Sequence, residues 1–274
     1  MALIIPEDAI GIMDSGVGGI SVMNVLMQEL PRENIIYFGD TAHMPYGKCS
    51  LNEVRSFTEK IIDFFIDKKC KLIVIACNTA TASLERTSEE VYKGEVPIFN
   101  VIDPVARYVN EHYSHKKVGL LCTDLTHSTG IFERKIEDTG VDIKLISFRA
   151  TQLAHMIETE FEHSEQIKQL IREYFFHHQF KNVEAVILGC THYIWLKESF
   201  IKLNPFIDWI EPSTMLVSEI KSYLIESDRL NKSEKMTQKS RACIIQSGNF
   251  SDFFAMAKTM TPATFDKQFI SLSL

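Results

Sequence analysis

Short apolar runs that alternate with helix-period segments along the whole chain constrain its fold more than any other feature. The runs predicted as strands are Ala9–Met13, Asn34–Phe38, Leu72–Ala76, Pro97–Ile102, Lys117–Leu121, Ile143–Phe148, Ala185–Leu188 and Ala242–Gln246. Several of them, such as Leu72-Ile73-Val74-Ile75, are continuously apolar, the pattern of strands covered on both faces. The intervening stripes are helical. Ser50 and Glu53 make a capping-box pattern before Val54, Phe57, Ile61, Phe64 and Phe65. Asp103-Pro104 offers an N-cap and an N1 proline before Val105 and Tyr108. Ser164 precedes Ile167, Leu170, Ile171 and Tyr174, and Ser213 precedes Leu216, Val217, Ile220 and Tyr223. This alternation predicts an α/β fold with mostly parallel sheets. A further helix is predicted over Ser251–Met260, and the polar stretch Asp228–Arg241 as a linker or surface loop.

Two segments resemble each other. Ile73-Val74-Ile75-Ala76-Cys77-Asn78-Thr79 and Val186-Ile187-Leu188-Gly189-Cys190-Thr191-His192 each pass from an apolar strand through a small residue into a cysteine followed by polar groups. A similar strand–helix series lies upstream of each, which predicts two pseudo-equivalent α/β lobes. In open α/β sheets ligands bind at the carboxyl ends of strands, where both cysteines fall. A thiol there is expected to feel the positive end of the following helix, which lowers its pKa toward thiolate. Any single cysteine is more commonly a core residue, and Cys70 and Cys243, in or beside apolar runs, read that way. Two cysteines at equivalent strand ends make Cys77 and Cys190 the functional candidates.

The 274 residues suffice for one large or two modest domains. A net charge of −7 disfavours non-specific nucleic-acid binding, while leaving room for a small anionic substrate in a locally donor-rich pocket. Pro6, Glu7 and Asp8 interrupt the first apolar run, and no stretch reaches the roughly 20 apolar residues of a membrane span. No membrane association and a cytoplasmic location are expected. The six cysteines form no C-x-x-C pair, and disulfides are not expected in a reducing compartment.

Asp14-Ser15-Gly16-Val17-Gly18-Gly19 follows the first strand, where glycines let backbone N–H groups crowd an anion. A dinucleotide fingerprint fits poorly, because its third glycine would fall at Ser21. A phosphatase aspartate pair fails because Gly16 stands where the second carboxylate belongs. The loop Gly39-Asp40-Thr41-Ala42-His43-Met44-Pro45-Tyr46-Gly47 is long for a connector. His192 shares a strand end with a candidate thiol and can tune or protonate it, whereas His177-His178 read as solvated helix residues. Cys190-x-His192 offers only two zinc ligands at an unusual spacing, so no metal is expected.

Taken in order, Asp14-Ser15-Gly16-Val17-Gly18-Gly19, Tyr37-Phe38-Gly39-Asp40-Thr41, Pro45-Tyr46-Gly47, Ala76-Cys77-Asn78-Thr79-Ala80 and Leu188-Gly189-Cys190-Thr191-His192-Tyr193 resemble the glutamate racemase type of the two-cysteine aspartate/glutamate racemase superfamily. The resemblance implies cofactor-independent racemisation of glutamate, with D-glutamate serving peptidoglycan precursors. It implies that Cys77 and Cys190 exchange protons with opposite faces of the α-carbon, Asp14 assisting the first thiol and His192 the second. Ser15, Pro45, Tyr46 and Gly47 would hold the side-chain carboxylate, and Asn78, Thr79 and Thr126 the α-carboxylate. Thr191 would lie near the ammonium, and Glu158 in a supporting position. The implied lobes are residues 1–103 with 213–274, and 104–212, with the site in the cleft between them. A homodimer is one oligomeric alternative.

The chain departs from the family's usual pattern in three places. Leu125 stands for a glycine, Phe148–Leu153 replaces a proline-containing stretch, and Glu211-Pro212-Ser213 replaces an Asp-Ser-Gly run. Racemisation of aspartate or another small acid by the same thiol pair is the alternative within the class. A catalytically silent ligand-binding relative is the alternative outside it, although such a relative would be expected to have lost a thiol or a helper.

Overall fold

A computed structural model describes residues 5, 7–84, 96–138, 140–160, 165–176, 182–233, 241–248, 252–263 and 265–274, without the side chains of 158–160, 174–176 and 241. Two all-parallel sheets organise the molecule. The larger has the order β10-β9-β2-β1-β3-β4, with β1 Ile10–Asp14, β2 Ile35–Gly39, β3 Leu72–Ile75, β4 Ile98–Asn100, β9 Arg241–Gln246 and β10 Asp266–Ser271. The smaller has the order β6-β5-β7-β8, with β5 Lys117–Cys122, β6 Lys144–Arg149, β7 Ala185–Gly189 and β8 Asp208–Ile210. The orders 2-1-3-4 and 6-5-7-8 are the same path traced twice, so β3 and β7, which lead into the two candidate cysteines, occupy equivalent places.

Each of the eight predicted strands is present within two residues. Sequence reading missed β8 and β10. The first has only three residues, and the second, Asp-Lys-Gln-Phe-Ile-Ser, is mostly polar on an exposed edge, so neither shows the continuous burial of β1, β3 and β7.

The helices are α1 Ile20–Glu29, α2 Leu51–Asp67, α3 Asn78–Leu84, α4 Ile102–His112, α5 Asp124–Thr129, α6 Ile131–Glu137, α7 Thr151–Glu160, α8 Glu165–Phe176, α9 Lys197–Leu203, α10 Pro212–Glu226 and α11 Phe253–Met260. The capping box of α2 forms as its sequence predicts, with Ser50 and Glu53 satisfying each other's backbone N–H groups. Helix α4 begins before the predicted Asp103 cap, because the Asn100 side-chain oxygen accepts from the N–H groups of Ile102 and Asp103 at 2.9 and 3.0 Å. At α10 the cap is Glu211, accepting from Ser213 N–H at 3.0 Å, so Ser213 lies inside the helix. Residues 164 and 177–178 lie outside the described residues.

Ile12 and Val74 of the larger sheet share one continuous core with Leu120 and Ile187 of the smaller, through residues of α1, α4 and α10 such as Leu26, Val105 and Leu216. That shared core holds the carboxyl ends of β1 and β3 near those of β5 and β7. Part of the predicted linker is firmly seated: the buried Lys71 ammonium donates to the Arg229 carbonyl at 3.0 Å and pairs with buried Glu33, whose Oε1 accepts from Asn231 N–H at 2.9 Å. Among the described residues no helix is long and apolar enough to cross a membrane.

Candidate active site

The first wall of the site begins where β1 ends. Asp14 is fully buried; one carboxylate oxygen accepts from Gly16 N–H and the other from the Thr191 hydroxyl, both at 3.0 Å. The second bond joins the ends of β1 and β7, and thus the two lobes. Burial pushes the Asp14 carboxyl above its ordinary value, against the opposing pull of His192, the Gly16 N–H and the Thr191 hydroxyl. The glycines act differently from the anion cradle expected of them. Gly16 N–H is turned onto Asp14, and Gly18 lies so close to Thr191 and His192 that an added Cβ would sit 3.0 Å from His192 Nδ1 and nearer still to Thr191. A bare backbone is what allows the opposing loops to meet there.

Cys77 leaves β3 two residues after its end and is 6% exposed; its Sγ accepts from Ala80 N–H at 3.4 Å and lies 3.9 Å from the Ser15 hydroxyl. The expected lowering of this thiol's pKa is overturned. Burial, reinforced by the neighbouring Asp14, pushes Cys77 up to about 12, and the α3 N–H group opposes this only in part. Cys190 leaves β7 directly, is 7% exposed, and places its Sγ 3.5 Å from His192 Nδ1. A 3₁₀ segment, Thr191–Leu196, follows it in place of the α-helix that follows Cys77.

Between the thiols lies a cavity with about 500 Å³ of empty space, partly open to solvent. Ser15, Pro45, Tyr46, Gly47, Cys77, Asn78 and Thr79 line it from one lobe, and Cys190, Thr191 and His192 from the other. The structure therefore gathers nearly all the predicted site residues around one space, with one cysteine from each lobe. Asp14 sits behind this lining. Both amide atoms of Asn78 are buried and have no hydrogen-bond partner among the described residues, an arrangement that a bound polar ligand would relieve. Thr126 is absent from the lining. Its hydroxyl is 3.1 Å from that of Thr79 and 3.0 Å from that of Thr123, and in this loop it is Thr123 that lines the cavity. Glu158 falls in α7, with its side chain outside the described residues.

Sequence reading also missed Lys48, Thr151, Ala154 and His155 in the lining. Thr123 was within reach of a sequence argument, because it follows β5 as Ser15 follows β1. It also caps α5, accepting from Thr126 N–H at 3.3 Å. Thr151 and His155 lie one turn apart on α7, a segment with no chemical signature of its own. Leu125 packs from the smaller-sheet lobe onto the core that contains Tyr46 and Cys77. Among the described residues no group of three or more His, Cys, Asp or Glu side chains could hold a metal ion.

The Asp/Glu/Hydantoin racemase family profile matches residues 10–211, most of the chain. The glutamate racemase of Oceanobacillus iheyensis is 33% identical over 258 residues, covering 93% of this chain and 92% of the relative. Among solved structures, the glutamate racemase of Francisella tularensis in complex with D-glutamate superposes with a TM-score of 0.86 at 29% identity, covering 98% of each chain. That of Thermus thermophilus in complex with β-chloro-D-alanine gives a TM-score of 0.84 at 30% identity, again with 98% of each covered. With a profile spanning both thiols and relatives matched over nearly their full length, the chain belongs to the Asp/Glu/hydantoin racemase family and is an amino-acid racemase, an isomerase.

Proposed function

We propose that this chain interconverts L- and D-glutamate by passing protons between the α-carbon and two thiols, Cys77 and Cys190. The observation that carries the reading is the placement of one cysteine from each lobe on the lining of a single cavity, each sulfur beside its own polar partner. One sulfur, as thiolate, takes the α-proton: the S–H bond forms as the C–H bond breaks, and the electron pair moves toward the α-carboxylate. The other thiol then delivers a proton to the opposite face, and the two exchange roles for the other enantiomer. Asn78, Thr79 and Thr123 supply donors for the α-carboxylate, where negative charge accumulates. The Pro45–Gly47 turn with Ser15 receives the side-chain carboxylate.

Burial and the neighbouring Asp14 favour the protonated form of Cys77, the form that donates a proton to the α-carbon, while the substrate's ammonium favours the thiolate that accepts one. Asp14 and His192 position and tune the two thiols. In this reading residues 1–103 with 213–274 form one lobe and residues 104–212 the other, with the site between them. The enzyme acts in the cytoplasm, alone or as a homodimer, and its D-glutamate serves peptidoglycan synthesis.

The test is incubation with L- and D-glutamate, and in parallel with L- and D-aspartate, in D₂O without added cofactor. Deuterium should enter glutamate at the α-carbon as optical activity is lost, and Cys77→Ser or Cys190→Ser should reduce the rate at least about 10³-fold. Turnover of aspartate in preference to glutamate overturns the substrate, and wild-type rates in either serine variant overturn the role of that thiol.

A further inference from the structure

Strands β2 and β9 run in register until Gly39 pairs with Gln246, after which both chains leave the sheet together. This brings Ser247, near the C-terminus, against Asp40, at the head of the loop that carries Pro45–Gly47. Both are buried, Asp40 at 2% exposure and Ser247 at 8%. The Ser247 hydroxyl donates to Asp40 Oδ1 at 2.5 Å and accepts from Ala42 N–H at 3.0 Å. Asp40 Oδ2 in turn accepts from the Tyr46 hydroxyl at 2.6 Å, and His43 Nδ1 lies 2.9 Å from the same oxygen. Gly248 N–H donates to the Thr41 hydroxyl at 2.9 Å, and Gly248 lies so close to the loop that a Cβ would meet Ala42 N at 2.7 Å.

We infer that Ser247 is a positioning residue for substrate binding. Through Asp40 it fixes Tyr46, and with it the Pro45–Gly47 turn that lines the cavity. None of Ser247, Asp40 or its carboxylate contacts belongs to the cavity lining apart from Tyr46, so the effect is transmitted and not direct. Ser247 also lies beyond residue 211, where the family profile ends, so the segment outside the match completes the site. A carboxylate held by a serine, a tyrosine and a histidine has its lone pairs committed and little freedom to rotate. Loss of the serine bond removes one of the three side chains that hold Asp40, leaves Ala42 N–H without its acceptor, and loosens the turn that must meet the substrate. The inference rests on the glutamate reading above, because that turn is taken to receive the substrate's side-chain carboxylate.

The experiment compares the whole wild-type chain with Ser247→Ala, measuring D-glutamate affinity by calorimetry and racemisation by steady-state kinetics. Loss of a buried bond to a carboxylate should raise Kd and KM together by about tenfold, with kcat within about twofold. The double variant Ser247→Ala/Tyr46→Phe should bind no more than about threefold more weakly than the weaker single variant, since both act through one carboxylate. Unchanged Kd in Ser247→Ala, or a fall in kcat and thermal midpoint with Kd unaltered, overturns the positioning role. If Ser247→Ala does not fold, Asp40→Asn replaces it, and wild-type affinity there is equally fatal. A wild-type chain that neither binds nor racemises D-glutamate overturns the glutamate reading and this inference with it. A wild-type chain that binds it, with an unaltered variant, overturns this inference alone.

Discussion

Replacing Gly18 with alanine tests whether the catalytic geometry depends on how closely the two lobes meet. An alanine Cβ would lie 2.9 Å from Thr191 Cβ and 3.0 Å from His192 Nδ1, whereas ordinary contact begins at 3.4 Å. Thr191 Cβ is fixed to the backbone, so rotating the side chain gives no relief, and residues 190–192 must withdraw by at least about 0.5 Å. The Thr191 hydroxyl, now 3.0 Å from Asp14, then passes beyond hydrogen-bonding distance. A hydrogen bond to a charged group contributes about 1.5–3 kcal/mol, which for a chain of this size lowers the thermal midpoint by roughly 3–10 °C. Activity suffers more. Cys190 moves with its neighbours, and a misplacement of about 1 Å at reacting groups costs on the order of 10²-fold, so kcat/KM should fall between about tenfold and a hundredfold. Steady-state racemisation, with a melting curve on the same sample, reads both effects. A Gly18→Ala enzyme with kcat/KM within threefold of wild type would refute the claim that this glycine sets the distance between the lobes.

Alkaline pH and a buried ion pair provide two further tests. Burial, with a smaller push from Asp8, raises Cys70 to about 12, and burial with Asp14 does the same for Cys77, against 9.0 for an ordinary thiol. The native state therefore keeps protons that the unfolded chain releases, and stability present below about pH 9 should be lost as pH rises from about 9 to 12. Urea midpoints across that window should fall, and Cys70→Ala should flatten the slope; an unchanged slope in that variant would show that Cys70 does not titrate as described. At the far end of the larger sheet, Lys71→Met would leave the Glu33 carboxylate buried without its cation. The expected loss is about 3–5 kcal/mol of unfolding free energy, with racemisation at 25 °C intact and stability partly restored by adding Glu33→Gln. A loss below 1 kcal/mol would mean that water reaches the pair.

Much of the architecture was legible because it is written in local periodicity. Continuous apolar runs such as Leu72–Ile75 and Ala185–Gly189 become buried parallel strands wherever they pair, and the repeated strand–cysteine–polar pattern foretold two equivalent strand ends. The same logic explains what was hidden. A three-residue strand at Asp208–Ile210 and an exposed edge strand at Asp266–Ser271 lack the burial that makes a strand visible in sequence.

Residue type at strand ends marked Cys77, Cys190 and His192 as candidates, while Asp14 entered only through the family resemblance. Their protonation and company were not legible, because those depend on neighbours distant in the chain. Thr191 meets Asp14 across 177 positions and Ser247 meets Asp40 across 207, and such pairs exist only once the sheets are in register. Burial likewise belongs to the folded state: a helix start beside Cys77 predicts a lowered pKa, yet desolvation of the buried thiol outweighs the helix and raises it. Local pattern thus determined which residues stand at the strand ends. Packing of one lobe against the other decided their distances, their charge states and which threonine of the loop after β5 lines the cavity, because electrostatics and contact act through space and are indifferent to sequence separation.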